Sequence, residues 1–176
     1  MDFNLDASIV DQTHDMAMSV GEDASQYLTF FLGEEEYGIN ILDVQEIKGW
    51  DGTTIIPNTP EHILGVINLR GTIVPVIELR TCFSLPHKAF TETTVVIMIK
   101  VVADGEERVV GVVVDAVAEV YNVAFEAIEP PPNVHASVDA EYIKGLTTLD
   151  EKMVILLDIS TLLAEQALDD QPVKVH

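Results

Sequence analysis

The amino-acid sequence predicts a mainly β protein made of two similar lobes. Valine and isoleucine dominate an apolar fraction of 48%, and both residues favour strands. The apolar runs are short, with turn signals about every eight to twelve residues, a spacing typical of barrels and sandwiches. A strand pattern in the first half of the chain also recurs in the second half, which indicates two lobes.

The clearest local element is a hairpin that joins residues 93–102 to residues 108–115. Its turn contains Asp104 and Gly105, a pair that tolerates the positive φ angles of a tight hairpin turn. A second hairpin is predicted over residues 26–41, around a turn at its glycine and glutamates.

Helical signals are few. Residues 58–65 carry a capping asparagine, an early proline and a final glycine, which predicts one short helical turn. Residues 158–167 begin with a capping aspartate and place apolar residues at helical spacing, which predicts a C-terminal helix.

The internal repeat consists of two echoes in the same order. Residues 38–47 match residues 111–120, with a glycine, a valine and a glutamate in common. Residues 65–69 match residues 145–149, with a glycine and a leucine in common. Chance similarity between apolar strands is the alternative explanation. The shared order favours two lobes of roughly 65 to 75 residues, and a crevice between them is a natural binding site.

Charge and targeting signals restrict the possible partners and location. Thirty acidic and nine basic residues give a formal net charge of -21, which disfavours nucleic acid and anionic membrane surfaces. The acidic side chains also serve solubility. Residues 1–24 are predicted to be a mobile acidic arm, and residues 166–176 a loose tail. No apolar run is long enough to enter a membrane as a helix, the arm lacks the features of a signal peptide, and Cys82 is the single cysteine, so a cytoplasmic location is predicted.

The sequence offers little for catalysis or metal binding. Its five histidines include no pair at the spacing that places two ligands on one helix face, and one cysteine cannot form a thiolate cluster. Nucleophile-elbow and nucleotide-binding glycine motifs are absent. We therefore predict no catalytic residues, no metal and no cofactor. A small-molecule carrier that uses a barrel or the crevice and a hydrolase that uses two of the many carboxylates remain alternatives.

Recognition features are more specific. Gly65, Asn68 and Gly71 surround Arg70, which indicates a turn and a close backbone approach, although a solvated turn arginine is the simpler interpretation. Glu46 lies in an apolar segment and needs a cationic partner if it is partly buried. An arginine suits a carboxylate best. We hypothesise that Glu46 and Arg70 face each other at the crevice.

Pro75 interrupts the apolar run at residues 72–77. Proline cannot donate a hydrogen bond to a sheet, so this strand is predicted to lie at an edge or to carry a bulge. An apolar edge strand can dock a partner, and an ordinary bulge is the alternative.

At these motifs the sequence resembles the CheW family of chemotaxis coupling proteins. The match runs from Gln26 to Leu163. The segments that carry it are residues 33–39, 44–47, 57–60, 65–71, 74–80 and 109–115.

The resemblance implies a mainly β fold of two SH3-like five-stranded β-barrel subdomains with a short C-terminal helix, in one domain at residues 25–165. It also implies a non-catalytic adaptor that couples the histidine kinase CheA to methyl-accepting chemoreceptors in membrane-bound arrays. The kinase would dock on the first barrel, and the receptor tip, a helical hairpin, on the groove between barrels. The implied receptor-groove residues are Val44, Glu46, Arg70, Val95, Val110 and Gly111. Ile73 and Pro75 are the candidates for the kinase side. An adaptor of a different signalling array, such as one for surface motility, is an alternative within the class.

Overall fold

The computed structural model describes residues 23–131 and 140–168. The predicted acidic arm and C-terminal tail fall almost entirely outside these ranges. The strands are β1 (Ala24–Leu32), β2 (Glu35–Asn40), β3 (Val44–Gly49), β4 (Ile63–Leu69), β5 (Thr72–Glu78), β6 (Val95–Ala103), β7 (Glu106–Val114), β8 (Ala116–Ala124), β9 (Ile143–Leu149) and β10 (Lys152–Leu157). The helices are α1 (Leu79–Cys82) and α2 (Ile159–Leu163). Three-residue turns occupy Ile41–Asp43, Phe125–Ala127 and Ala140–Tyr142, and a five-residue π-helical turn, Ala164–Leu168, follows α2.

The strands form two five-stranded sheets, one in the order β8-β1-β2-β10-β9 and the other in the order β3-β6-β7-β5-β4. We call them barrel 1 and barrel 2. Each has its own apolar cluster, around Tyr27 and Leu156 in barrel 1 and around Val74 and Met98 in barrel 2. The predicted fold of two five-stranded barrels with a short C-terminal helix is confirmed.

The internal repeat is visible in the strand pairing. Gly38 on β2 pairs with Leu156 in a parallel register, and its counterpart Gly111 on β7 pairs with Val76 in the same way. The repeated units are therefore β1 to β5 with α1, and β6 to β10 with α2. This agreement in pairing shows that the echoes are structural and not accidental.

The repeat suggested that each lobe is one consecutive half of the chain. The structure shows a different arrangement. Barrel 1 takes β1 and β2 from the first unit and β8 to β10 from the second, and barrel 2 takes the remaining strands. The chain crosses between barrels after β2 and again after β7. Alternating burial tells which face of a strand is apolar, but not which sheet it joins.

A third apolar cluster joins the two barrels. It contains Phe30 and Tyr37 from barrel 1 and Ile97 and Val110 from barrel 2, all at most 1% exposed. Leu162 of α2 packs into the same cluster. Because one core is shared by both sheets, neither barrel can bury its apolar face without the other.

The local predictions had mixed outcomes. The 93–115 hairpin is confirmed, with Asp104 and Gly105 at φ values of 56° and 78°. The C-terminal helix is confirmed too, and the Asp158 carboxylate caps it by accepting a hydrogen bond from the Thr161 amide at 3.3 Å. The predicted turn at residues 58–65 is reduced to one hydrogen-bonded turn, in which the Ile63 amide donates to the Pro60 carbonyl at 3.0 Å, because Ile63 already begins β4 and pairs with β5.

Candidate partner-binding surface

The turn between β4 and β5 places Arg70 on the surface of barrel 2. Arg70 and Gly71 both have left-handed backbone conformations, at φ values of 51° and 91°, as a tight hairpin turn requires. The Asn68 side-chain oxygen accepts a hydrogen bond from the Gly71 amide at 2.8 Å. The turn predicted at this motif is confirmed, and it leaves the Arg70 side chain 69% exposed.

Arg70 and Glu46 form the predicted ion pair. The Arg70 Nη2 atom lies 2.7 Å from Glu46 Oε2, and the Glu46 side chain is only 14% exposed. Both residues belong to barrel 2, where β3 and β4 are the two end strands of the sheet. The pair therefore joins the two end strands of one sheet, and its position at the crevice between the barrels stays a prediction.

Gly65 allows the chain to cross β4 closely. Its φ is 142°, and a Cβ atom built there would lie 2.3 Å from the carbonyl oxygen of Thr54. Thr54 and Val66 exchange two backbone hydrogen bonds of 2.9 Å. The predicted close backbone approach is confirmed, and it fixes the β3–β4 connection against β4 at Val66.

This connection also presents apolar surface that our sequence analysis missed. Ile55 is 78% exposed and directly follows the Thr54 bridge to β4. The adjacent Ile56 is also exposed. The pattern of two isoleucines followed by a proline predicts exposed apolar side chains, because an irregular loop has no regular apolar face that packs against the core.

Four of the implied receptor-groove residues lie in the interior. Val44, Val95 and Val110 belong to the cluster between the barrels and are at most 8% exposed. Gly111 is buried as well, with Val96 close to the position a Cβ atom would occupy. A partner can reach these positions only if the core moves, so any contribution they make is to the shape of the surface above them.

Ile73 and Pro75 lie on β5 of barrel 2. Ile73 is 60% exposed, whereas Pro75 is half-buried and pairs with Val66. The predicted edge position is wrong, because β5 lies between β4 and β7 in the sheet, but the alternative irregularity is present as a register shift between Ile63 and Gly65 in the pairing of β4 with β5. However, β7 pairs only with residues 76–78, so Pro75 lies where β5 is paired on the β4 side alone.

A second ion pair, between Arg80 and Asp115, was not predicted. Arg80 donates from Nε and Nη2 to the two carboxylate oxygens of Asp115, at 3.0 and 2.7 Å. The Gly33 amide donates to the same carboxylate at 2.7 Å. Although burial by itself raises the pKa of Asp115, the hydrogen bonds from Arg80 and Gly33 outweigh it and lower that pKa.

Replacing Asp115 with asparagine is expected to lower the free energy of unfolding by about 1 to 3 kcal/mol at pH 7. The folded pKa lies below the unfolded value of about 3.9. The carboxylate therefore stabilises the fold above that pH, and this contribution is lost as the pH falls through the folded pKa. Urea unfolding from pH 7 downwards measures the effect.

The control for this experiment is Asp104→Asn, which removes an acidic charge in a hairpin turn where asparagine tolerates a positive φ. Its unfolding free energy should stay within about 0.5 kcal/mol of the original protein. A deficit of Asp115→Asn that is the same at pH 7 and near pH 3 would contradict the ionic explanation.

The other chemical groups are unreactive or dispersed. Burial raises the pKa of the Cys82 thiol to about 12, so the thiol is protonated at neutral pH. Within residues 23–131 and 140–168, no group of three or more histidine, cysteine, aspartate or glutamate side chains could hold a metal ion. None of the helices in the same ranges has the length and apolar character needed to span a bilayer.

Comparisons with known proteins agree on one family. The model of the CheW-like domain matches residues 26–167. A chemotaxis protein CheW of Klebsiella aerogenes is 48% identical over 159 residues, covering 89% of this chain and 93% of that protein. A chemotaxis protein CheW of Treponema pallidum is 34% identical over 151 residues, covering 86% and 89%.

A solved structure shows the same architecture. The crystal structure of the scaffolding protein TtCheW from Thermoanaerobacter tengcongensis superposes with a TM-score of 0.70 at 37% sequence identity. The match covers 79% of this chain and 87% of that one. With the family match over most of the chain and two barrels of the same architecture, this protein belongs to the CheW family of chemotaxis coupling proteins.

Proposed function

We propose that this protein is a non-catalytic cytoplasmic adaptor that couples a histidine kinase of the CheA type to the cytoplasmic tips of methyl-accepting chemoreceptors. In this role it is recruited to membrane-bound receptor arrays through protein contacts and places the kinase under receptor control. The observation that carries the proposal is the exposed Arg70 guanidinium, held in place by Glu46 in a chain of the CheW family.

The receptor contact centres on Arg70. Its backbone is held by the Asn68–Gly71 turn, and Glu46 fixes one edge of its guanidinium. The rest of this planar group can donate to carboxylate or amide oxygens of a partner. The chain has few other basic residues that could take over this contact. Arg70 therefore favours partners that present a carboxylate or amide oxygen over partners that lack one.

Apolar surface on the same barrel supplies a further part of the contact. Ile55 is exposed on the connection that crosses β4 at Val66, on the side of that bridge away from Arg70. Burial of apolar area contributes roughly 25 cal/mol per Å² before the costs of association are subtracted. The exposed ion pair contributes roughly 0.2 to 1 kcal/mol to stability, so it acts mainly through orientation.

The kinase contact uses a different part of barrel 2. Ile73 is exposed on the half of β5 that pairs only with β4, and such a strand offers both apolar side chains and backbone groups. The resemblance implied docking on the first barrel, but the first repeat unit is divided between both barrels. The kinase contact is therefore assigned to barrel 2, the barrel that contains β5.

We expect Arg70→Ala to fold normally but to lose about tenfold or more in receptor-dependent kinase activation, which corresponds to at least one lost charged contact. The measurement is co-sedimentation and kinase activity with purified CheA and a receptor signalling fragment. Thermal unfolding of the isolated variant checks that the fold is intact.

The matched control is Arg108→Ala. Arg108 is also exposed on barrel 2 and paired with a glutamate, Glu106, at 3.0 Å, so both variants lose one surface ion pair. It should leave kinase activation unchanged. Full activation by Arg70→Ala would remove Arg70 from the mechanism, and equal losses in both variants would point to net charge instead.

A further inference from the structure

Asp115 occupies one of the two points where the chain crosses between barrels. It lies between the last residue of β7 in barrel 2 and the first residue of β8 in barrel 1. Its backbone amide donates to the Phe31 carbonyl of barrel 1 at 3.1 Å. Its carbonyl accepts from the Thr93 hydroxyl, just before β6 of barrel 2, at 2.9 Å. The backbone of this single residue thus contacts both barrels.

The Asp115 side chain repeats this bridging arrangement. Its carboxylate accepts from Gly33, in the β1–β2 turn of barrel 1, and from Arg80, in α1 after β5 of barrel 2. Arg80 also donates from Nη1 to the Pro86 carbonyl at 2.9 Å. The Arg80 and Asp115 side chains are only 11% and 17% exposed. A guanidinium bonded through three nitrogens on a carboxylate and a carbonyl has little rotational freedom.

The other crossing point, after β2, has no equivalent of the Arg80–Asp115 pair. Under the internal repeat, the position equivalent to Asp115 is Leu42, which is 53% exposed, and the position equivalent to Arg80 is Ser160.

Among the described residues, no salt bridge within 4.0 Å holds this crossing, and its Asp43 interacts with Lys100 and Lys144 only through longer-range electrostatics. Burying an ion pair costs desolvation free energy, so such a pair is a weak source of stability. Because the Arg80–Asp115 pair occurs at only one of the two crossings, the fold in general does not require it, and a role in geometry explains it better.

We propose that Arg80 and Asp115 are positioning residues that fix the angle between the two barrels, and that the receptor contact depends on this angle. This inference rests on the proposed function. The receptor contact proposed here begins at Arg70 on barrel 2 and continues across the groove to barrel 1, so a rigid helical hairpin fits it only at one inter-barrel angle. The kinase contact proposed around Ile73 lies on barrel 2 alone and does not depend on that angle.

The test measures the distance between the barrels directly. Spin labels are placed at Val102 on β6 and Met153 on β10, which are 68% and 62% exposed, in a background that carries Cys82→Ala. Double electron–electron resonance then gives the distribution of distances between the two labels. Arg80→Met should broaden that distribution, whereas the control Arg108→Met, which removes an exposed ion pair within barrel 2, should not.

Binding provides the second measurement. Arg80→Met is expected to weaken the affinity for a receptor signalling fragment by about tenfold while the affinity for a CheA fragment stays unchanged. If Arg80→Met does not fold, Asp115→Asn replaces it, because asparagine keeps the size of the side chain and one oxygen acceptor.

An unchanged distance distribution in the folded variant would overturn the proposal. A broadened distribution with unchanged receptor affinity would overturn its functional half. Failure of the proposed function looks different, because the unmodified protein would then not bind the receptor fragment, while the distance measurement would still decide whether the pair fixes the angle.

Discussion

Replacing Gly65 with alanine is expected to lower the free energy of unfolding by more than about 3 kcal/mol, or to prevent folding. Two effects add. The φ of 142° strains any residue that carries a Cβ atom, and that atom would lie 2.3 Å from the Thr54 carbonyl oxygen and 2.8 Å from the Thr53 hydroxyl. These neighbours cannot move without breaking the backbone bridge between Thr54 and Val66.

Two other glycines separate the causes of this effect. Gly71→Ala is strained at a φ of 91° but meets no atom within 4 Å, so it should cost about 1 kcal/mol. Gly49→Ala has neither problem and should change stability by less than about 0.5 kcal/mol. Urea unfolding of the three variants gives the comparison. If Gly65→Ala resembles Gly71→Ala, the close approach of Thr54 is not a determinant of stability.

Replacing Phe30 with alanine is expected to lower the free energy of unfolding by about 3 to 5 kcal/mol. Phe30 is 1% exposed in the cluster between the barrels and stacks on Tyr37, with ring centroids 5.9 Å apart. Because residues of both sheets pack in this cluster, we also expect both barrels to unfold in one transition, shifted to lower denaturant.

Phe125→Ala removes the same side chain from an exposed position, where 50% of the surface is accessible, and should change stability by less than about 0.5 kcal/mol. Fluorescence of Trp50 reports on barrel 2, since its ring packs on Phe90 at 4.4 Å, and far-ultraviolet circular dichroism reports on both barrels. Separate midpoints for the two signals would show that the barrels unfold independently.

The local structure of this protein follows from its sequence. The Asp104-Gly105 turn, the cap at Asp158 and the turn around Arg70 were all predictable, because each depends on the φ preferences and hydrogen bonds of a few neighbouring residues. The contact between Glu46 and Arg70 was predictable for a different reason. A glutamate in an apolar strand needs a cationic partner, and the chain contains few.

The short turn at residues 58–65 shows where local reasoning ends. Asn58 adopts a left-handed conformation with a φ of 66°, which differs from the extended conformation of a helix cap. Residues from Ile63 onwards lie in β4, where Gly65 pairs with Val76, so only one hydrogen-bonded turn precedes the strand. Strand pairing overrides a weak local helix propensity when it buries the apolar residues of the segment in the core.

The Arg70 turn and its partner Glu46 were therefore determined by the sequence itself, together with the fold class and the repeat. Only the tertiary structure decided that each repeat unit contributes strands to both barrels, that this ion pair joins the two end strands of one sheet, and that Val44 and Val110 are core residues. The bridge from Arg80 through Asp115 to Gly33 belongs to the same group. Sheet assignment and such bridges depend on contacts between distant parts of the chain, which residue spacing does not specify because the period of a strand is the same in either barrel.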